Sequence, residues 1–205
     1  IRYAIPMVTT SVLQALYSMA DMIIAGHFIG NTGISAINNS SQIMNIATQI
    51  AIGLTVGGNV LIGQYYGAGK QEERRRAIGT LLTSSLLLGV FGLLLIFSLA
   101  RAILSGLGAP ALDDAQAYLQ VCASGMPFIF GYNALGAVLR AVGNSRKPLH
   151  FIAASASTNV VLDIVFVGSL KMGVRGAALA TVLSQGLSFS LALIFLLRHS
   201  EIFRI

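Results

Sequence analysis

Leu149-His150-Phe151-Ile152-Ala153-Ala154-Ser155-Ala156-Ser157-Thr158-Asn159-Val160-Val161-Leu162-Asp163-Ile164-Val165-Phe166-Val167 is long and apolar enough to cross a lipid bilayer, yet it carries a carboxylate near its end. A charged carboxylate at the centre of a membrane helix costs about 2.5–3.5 kcal/mol on insertion scales, so such a residue is by default a functional candidate. A second one, Asp21, lies in the equally apolar stretch 3–25. Each must be neutralised to stay where it is, by a partner, a proton or a cation.

The rest of the chain has the same character. Mean hydropathy is +0.79 and only 10% of the 205 residues are charged, against about a quarter in soluble domains. The composition predicts an all-α polytopic membrane protein. Runs of about 20 apolar residues, enough for roughly 30 Å of hydrocarbon, fall at 3–25, 34–65, 77–100, 115–139, 149–167 and 176–197. Six transmembrane helices are therefore expected, forming a single lobe over 1–205. Pro127 removes a backbone hydrogen bond and predicts a kink in the fourth span near Gly125. The chain starts at Ile1 and ends in the charged stretch 199–204, which suggests a piece of a longer protein.

The net charge of +6 does not point to nucleic acid, because the basic residues cluster between apolar spans instead of interleaving with aromatics on one face. Ten of the 13 fall on one set of connections: Arg2, Lys70, Arg74, Arg75, Arg76, Arg140, Arg146, Lys147, Arg198 and Arg204. The other set holds Arg101, Lys171 and Arg175. By the positive-inside rule both ends of the chain face the cytoplasm. Cys122 is the single cysteine, so neither an intramolecular disulfide nor a cysteine zinc site can form. His27, His150 and His199 are spread over different span ends, which suits interfacial placement rather than metal binding.

The polar residues inside the spans converge on one depth. Asp21 lies five residues before Gly26, Asp163 five before Gly168, and Thr181 five after Gly176. At about 1.5 Å per residue each is roughly 7–8 Å below its helix end. Ser155, Asn159 and Asp163 are spaced by four and share a helix face. The first span carries Gln14, Tyr17 and Asp21, and the second a stripe of amides, Asn38, Gln42, Asn45 and Gln49. A single intramembrane amide is usually glue between helices; two carboxylates, a stripe and Thr181 together predict a hydrophilic cavity. A buried carboxylate can carry a proton, or the grouped oxygens can hold a hard cation such as Na⁺.

These residues resemble the MATE family, the multidrug and toxic compound extrusion transporters. The resemblance runs through Pro6 to Asp21 with Ala25-Gly26, then Gly63-Gln64-Tyr65-Tyr66-Gly67-Ala68-Gly69 before a basic loop. It continues through Leu107-Gly108-Ala109, Ala117-Tyr118-Leu119, Pro127, Leu139-Arg140-Ala141-Val142-Gly143-Asn144 and Lys147-Pro148. Asn159, Asp163, Gly173-Val174-Arg175-Gly176-Ala177-Ala178 and Ala180-Thr181 complete it. The resemblance implies the N-terminal six-helix lobe of a twelve-helix, two-lobe transporter in the plasma (inner) membrane. It implies export of drug-like cationic or amphipathic compounds in exchange for H⁺ or Na⁺ by alternating access, with membrane lipid and a C-terminal lobe as partners. No cofactor and no enzymatic activity are implied. The family's N-lobe cation site maps onto Asp21, Asn159, Asp163 and Thr181, with Asn133 on the fourth span as a further member.

Two other readings compete. A lipid-linked oligosaccharide flippase of the same larger group would be expected to line its cavity with basic residues for a pyrophosphate, and the spans hold almost none. An intramembrane aspartyl protease pairs a Tyr-Asp with a Gly-x-Gly-Asp signature, whereas Met19-Ala20 and Val161-Leu162 precede the aspartates here.

Overall fold

The computed structural model describes residues 19, 22–109 and 111–199. Residues 22–28 are helical and lead through Ile29 into α1 (Gly30–Gly67), followed by α2 (Gln71–Gly106), α3 (Leu112–Ser124), α4 (Met126–Ala141), α5 (Arg146–Asp163) and α6 (Gly173–Arg198). A π-helical turn, Ile164–Ser169, continues α5 directly after Asp163. Among the described residues there are four helices long and apolar enough to span a membrane, and α3 with α4 forms a bent fifth. The protein is an all-helical membrane protein. Most of the first expected span, 3–25, lies outside the described residues, and with it Gln14, Tyr17 and Asp21.

The helices overshoot the bilayer. α1 has 38 residues and α2 has 36, or about 57 and 54 Å at 1.5 Å per residue, against roughly 30 Å of hydrocarbon. The basic run Arg74-Arg75-Arg76 therefore belongs to the first turns of α2 and not to a loop. Glu72 and Glu73 sit in the first turn of the same helix, where acidic groups complement the helix dipole. Glu72 also meets Arg76 at 3.5 Å on the exposed surface.

Three helices stop by the same device. After α1, α2 and α4, the glycines Gly69, Gly108 and Gly143 take φ of 68°, 64° and 85°. The following N–H of Lys70, Ala109 and Asn144 returns to the carbonyl of Tyr65, Leu104 and Leu139 at 3.0, 3.0 and 2.9 Å. This is the Schellman ending, which satisfies carbonyls that a helix end would otherwise orphan. It is the physical content of the Gly67-Ala68-Gly69, Leu107-Gly108-Ala109 and Val142-Gly143-Asn144 stretches. A methyl group at Gly108 meets nothing within 4 Å, so Gly108→Ala isolates the backbone term. It is expected to destabilise the protein by about 1–2 kcal/mol, readable as a lowered thermal midpoint in detergent.

The fourth span breaks where its sequence says it should. α3 and α4 meet at 43° across Gly125, and Pro127 sits in the first turn of α4, where a missing N–H does no harm. Gly125 serves a second purpose: a methyl group there would lie 2.6 Å from Gln185 Oε1 and 3.1 Å from Val182 Cγ2. The bend is thus also a point of close approach to α6.

α4 is the inner helix and packs against α1, α2 and α6, while α5 packs chiefly on α6 and barely touches α4. Buried Leu135, Val138, Leu139, Ile62, Ile78 and Leu196 form one core cluster, and Leu104, Leu119, Tyr118 and Ala178 belong to another. In lipid the hydrophobic effect does not hold helices together, so close packing and interhelical hydrogen bonds must. The outer face of α2 is accordingly apolar and exposed at Leu87, Phe91, Leu94 and Phe97. Among the described residues the seam between α4 and α5 stays open, and polar residues gather there.

Candidate functional site

Asp163 is the last residue of α5 and is only 1% exposed; Asn159, one turn earlier, is fully buried. With the Asn159 amide nitrogen turned toward the carboxylate, Nδ2 donates to Asp163 Oδ2 at 2.9 Å, and Oδ1 accepts from the Thr181 N–H at 3.2 Å. The i, i+4 spacing puts Asn159 and Asp163 on the face of α5 that meets α6, and the antiparallel register brings Thr181 level with them. Thr181 turns its hydroxyl into its own helix, where it donates to Ala177 O at 3.0 Å. One turn back, Ser155 Oγ donates to Ser184 O at 2.6 Å. These two polar layers pin α5 to α6.

A cavity of about 580 Å³ opens beside this cluster, in the seam left between α4 and α5. It runs from Arg140, Ser145 and Pro148 at one end to Asn159 and Thr181, walled by Thr48, Thr55 and Asn59 of α1 and by Ser184, Gln185 and Ser188 of α6. Asn133 also lines it, with its amide nitrogen donating to Ile129 O at 2.8 Å in its own helix. A second cavity of about 310 Å³ lies on the far side of Thr48, Ile129, Thr181 and Gln185, which border both. Asn38 and Asn45 line this second space. The space between the helices is therefore polar on several walls.

The structure brings together Asp163, Asn159 and Thr181, and places Asn133, Asn38 and Asn45 along the cavities. Gln42 and Gln49 are exposed and line neither of them. The stripe of α1 that does face inward is Ser41, Asn45, Thr48, Ile52, Thr55 and Asn59. Gln42 and Gln49 each sit one residue past a member of that stripe, about 100° further round the helix. Among the described residues no group of three His, Cys, Asp or Glu side chains could hold a metal ion. Asp21, Gln14 and Tyr17 lie outside the described residues.

Sequence reasoning named Thr181 but missed the rest of the α6 wall. Thr181, Ser184, Gln185 and Ser188 recur at three, four and seven residues, a helical polar stripe in an otherwise apolar helix, and that periodicity was the available signal. Gln185 Oε1 and Ser184 Oγ are buried and make no hydrogen bond to a described residue. Arg140 was missed as well, because it was counted with a loop. α4 runs on to Ala141, and its Arg140 enters the cavity wall.

Chemically, the cluster places one carboxylate against neutral donors at the edge of a water-sized and larger space. Such a carboxylate can take up a proton. It can also hold a hard cation once the Asn159 amide rotates to present its oxygen, a rotation that exchanges the Thr181 N–H contact for a cation ligand.

The family model described as MatE matches residues 6–165. The chain is 30% identical over 205 residues to the probable multidrug resistance protein YoeA of Bacillus subtilis, covering 97% of this chain and 44% of that protein. It is 32% identical over 203 residues to the probable multidrug resistance protein YpnP of the same organism, covering 96% and 45%. A solved outward-facing multidrug resistance MATE family transporter of the MOP superfamily superposes with a TM-score of 0.90 at 28% identity, covering 95% of this chain and 44% of that one. The chain spans about half the length of the curated relatives it matches.

Proposed function

The chain belongs to the MatE family, and from that premise we propose that it forms the N-terminal six-helix lobe, over 1–205, of a multidrug efflux antiporter. The protein exports cationic or amphipathic drug-like compounds in exchange for H⁺ or Na⁺. It works in the plasma (inner) membrane with both ends of this lobe in the cytoplasm, and a C-terminal lobe closes the other side of the cargo path. It moves its substrates unchanged, without a cofactor.

The observation that carries this reading is the 1%-exposed Asp163, tied to Asn159 and Thr181 at the wall of a cavity of about 580 Å³. A proton or Na⁺ at the site that we assign to Asp21, Asn159, Asp163 and Thr181, with Asn133 nearby, removes the need to solvate a bare charge. The neutralised and ionised forms then differ in how much open, wet cavity they tolerate. Coupling needs such a difference in free energy between two states. Rocking of the lobes between inward-open and outward-open states supplies the states. The seam at α4 and α5, the bend at Gly125 and the π turn beyond Asp163 are places where the lobe can yield without unpacking.

The test is drug efflux by the intact protein in membrane vesicles under imposed gradients. An inward H⁺ or Na⁺ gradient is expected to drive the drug outward, and collapse of that gradient by an ionophore is expected to stop it. Efflux indifferent to both gradients would refute antiport.

A further inference from the structure

Arg140 is the group that the transport reading leaves unused. It sits in the last turn of α4 and lines the larger cavity. Among the described residues lining that cavity none is acidic and only Arg140 carries a fixed charge. The two ion pairs among the described residues join Glu72 to Arg76 and Asp113 to Arg101. Asp163, the acidic residue buried in α5, does not line the cavity. The Arg140 guanidinium makes no hydrogen bond to a described residue either. A last-turn arginine ordinarily gains from the final carbonyls of its helix, but this one folds back toward the helix start. A methyl group built on Gly136 would lie 3.1 Å from Arg140 Nη1, with the three nearest atoms all belonging to the guanidinium. Gly136 thus leaves the room in which the guanidinium lies.

Two neighbours can donate. The hydroxyl of Ser145 precedes α5 without capping it, and neither it nor the Asn59 amide, both on the cavity wall, bonds to a described residue. Tyr132 Oη donates to Pro148 O at 2.8 Å, which uses its one O–H and fixes that part of the wall. Beyond the mouth follow the basic side chains of Arg146 and Lys147. A cation in a helical wall at reduced dielectric, with Ser145 and Asn59 able to donate and no carboxylate among the described residues that line the cavity, is set up to take a planar or tetrahedral oxyanion, which a guanidinium binds through two parallel hydrogen bonds.

We propose that Arg140, seated over Gly136 and flanked by Asn59 and Ser145, binds a carboxylate or phosphate carried by an amphipathic molecule, whose apolar part lies along Ile52, Val56 and Phe128. The inference deepens the efflux reading and rests on it for the role of the bound molecule as cargo. It extends that reading to zwitterionic and anionic amphiphiles, held at the end of the cavity away from Asp163. A phospholipid headgroup and a soluble organic acid share this chemistry, and the experiment separates them.

The experiment measures binding of 2-naphthoate and its neutral isostere 2-naphthamide to the intact protein in detergent micelles, before and after addition of phosphatidylglycerol, together with the phospholipid phosphorus that the purified protein retains. Naphthoate is expected to bind about tenfold more tightly than naphthamide, the factor of a charge-assisted hydrogen bond. Arg140→Gln is expected to erase the difference and Arg140→Lys to keep part of it, with naphthamide affinity unchanged as the sign of an intact fold. Gly136→Ala, which favours the helix but displaces the guanidinium, should also reduce it. Arg140-dependent phosphorus that naphthoate displaces identifies a lipid headgroup as the occupant, whereas naphthoate binding that is indifferent to phosphatidylglycerol identifies a soluble anion. Equal affinities for the two naphthyl probes, with no phosphorus that depends on Arg140, would overturn the proposal. Binding is read without transport, so a failed gradient experiment with intact naphthoate selectivity would reject antiport and leave the anion site standing.

Discussion

Asp163→Asn is expected to abolish the response of drug efflux to an imposed H⁺ or Na⁺ gradient while leaving drug binding intact. The asparagine keeps the shape and a hydrogen-bonding oxygen for the Asn159 Nδ2, now 2.9 Å from the carboxylate, so the α5–α6 pair stays assembled. It removes the one property on which coupling rests, a charge whose neutralisation alters the balance of two states. Coupling free energies of about 1–3 kcal/mol correspond to about 5–150-fold in affinity, and a drop of that size in gradient-stimulated efflux is expected in vesicles. Equilibrium binding of the same drug, measured in parallel, should change little. A variant that still couples normally would take Asp163 out of the ion site.

The second large effect is on stability. Gly89 lies in the middle of α2 where α4 crosses it, and a methyl group there would come within 2.9 Å of Pro127 Cα, 3.2 Å of Met126 O and 3.2 Å of Phe130 Cβ. Two of these three are backbone atoms at the start of a helix, and they cannot rotate away. Gly89→Ala is expected to force α2 and α4 apart at a cost of about 1–3 kcal/mol, although alanine is the better helix former. Gly53→Ala, where nothing lies within 4 Å, is the matched control and should be neutral or slightly stabilising. Thermal unfolding in detergent compares the two, and equal midpoints would show that the crossing is looser than its geometry.

What could be read from the residues alone divides along physical lines. Span length, charge bias and the Pro127 kink follow from local chemistry, and the helices Gly30–Gly67, Gln71–Gly106 and Gly173–Arg198 enclose the apolar windows that suggested them. The adjacency of Asn159 and Asp163 is set by a spacing of four. Their meeting with Thr181 was anticipated by counting depth from two glycines and by the family resemblance. The rotation of α1 about its axis is a tertiary matter: 38, 42, 45 and 49 make a valid stripe by period, and packing keeps Asn38 and Asn45 on the inward face with Ser41, Thr48 and Thr55 but turns Gln42 and Gln49 away from both cavities. Arg140 was misread because a helix end is hard to place from sequence. Two further residues of helix moved it from a supposed loop into the cavity wall and changed the cavity's charge.

The π turn at Ile164–Ser169 has a mechanical meaning for the carboxylate it follows. Its hydrogen bonds reach one residue further than those of the rest of α5, as in Leu170 N to Val165 O at 2.8 Å, so it is wider and less stiff than the rods on either side. Two rods joined by a compliant coupling do not transmit torque equally from both ends. A twist applied at the Leu170–Met172 corner is absorbed in the coupling before it reaches Asp163. A displacement arriving along α5 from Ser155 meets no such slack and turns the carboxylate with it. Asp163 is thereby expected to follow displacements of α5 more closely than twists of the corner beyond the π turn.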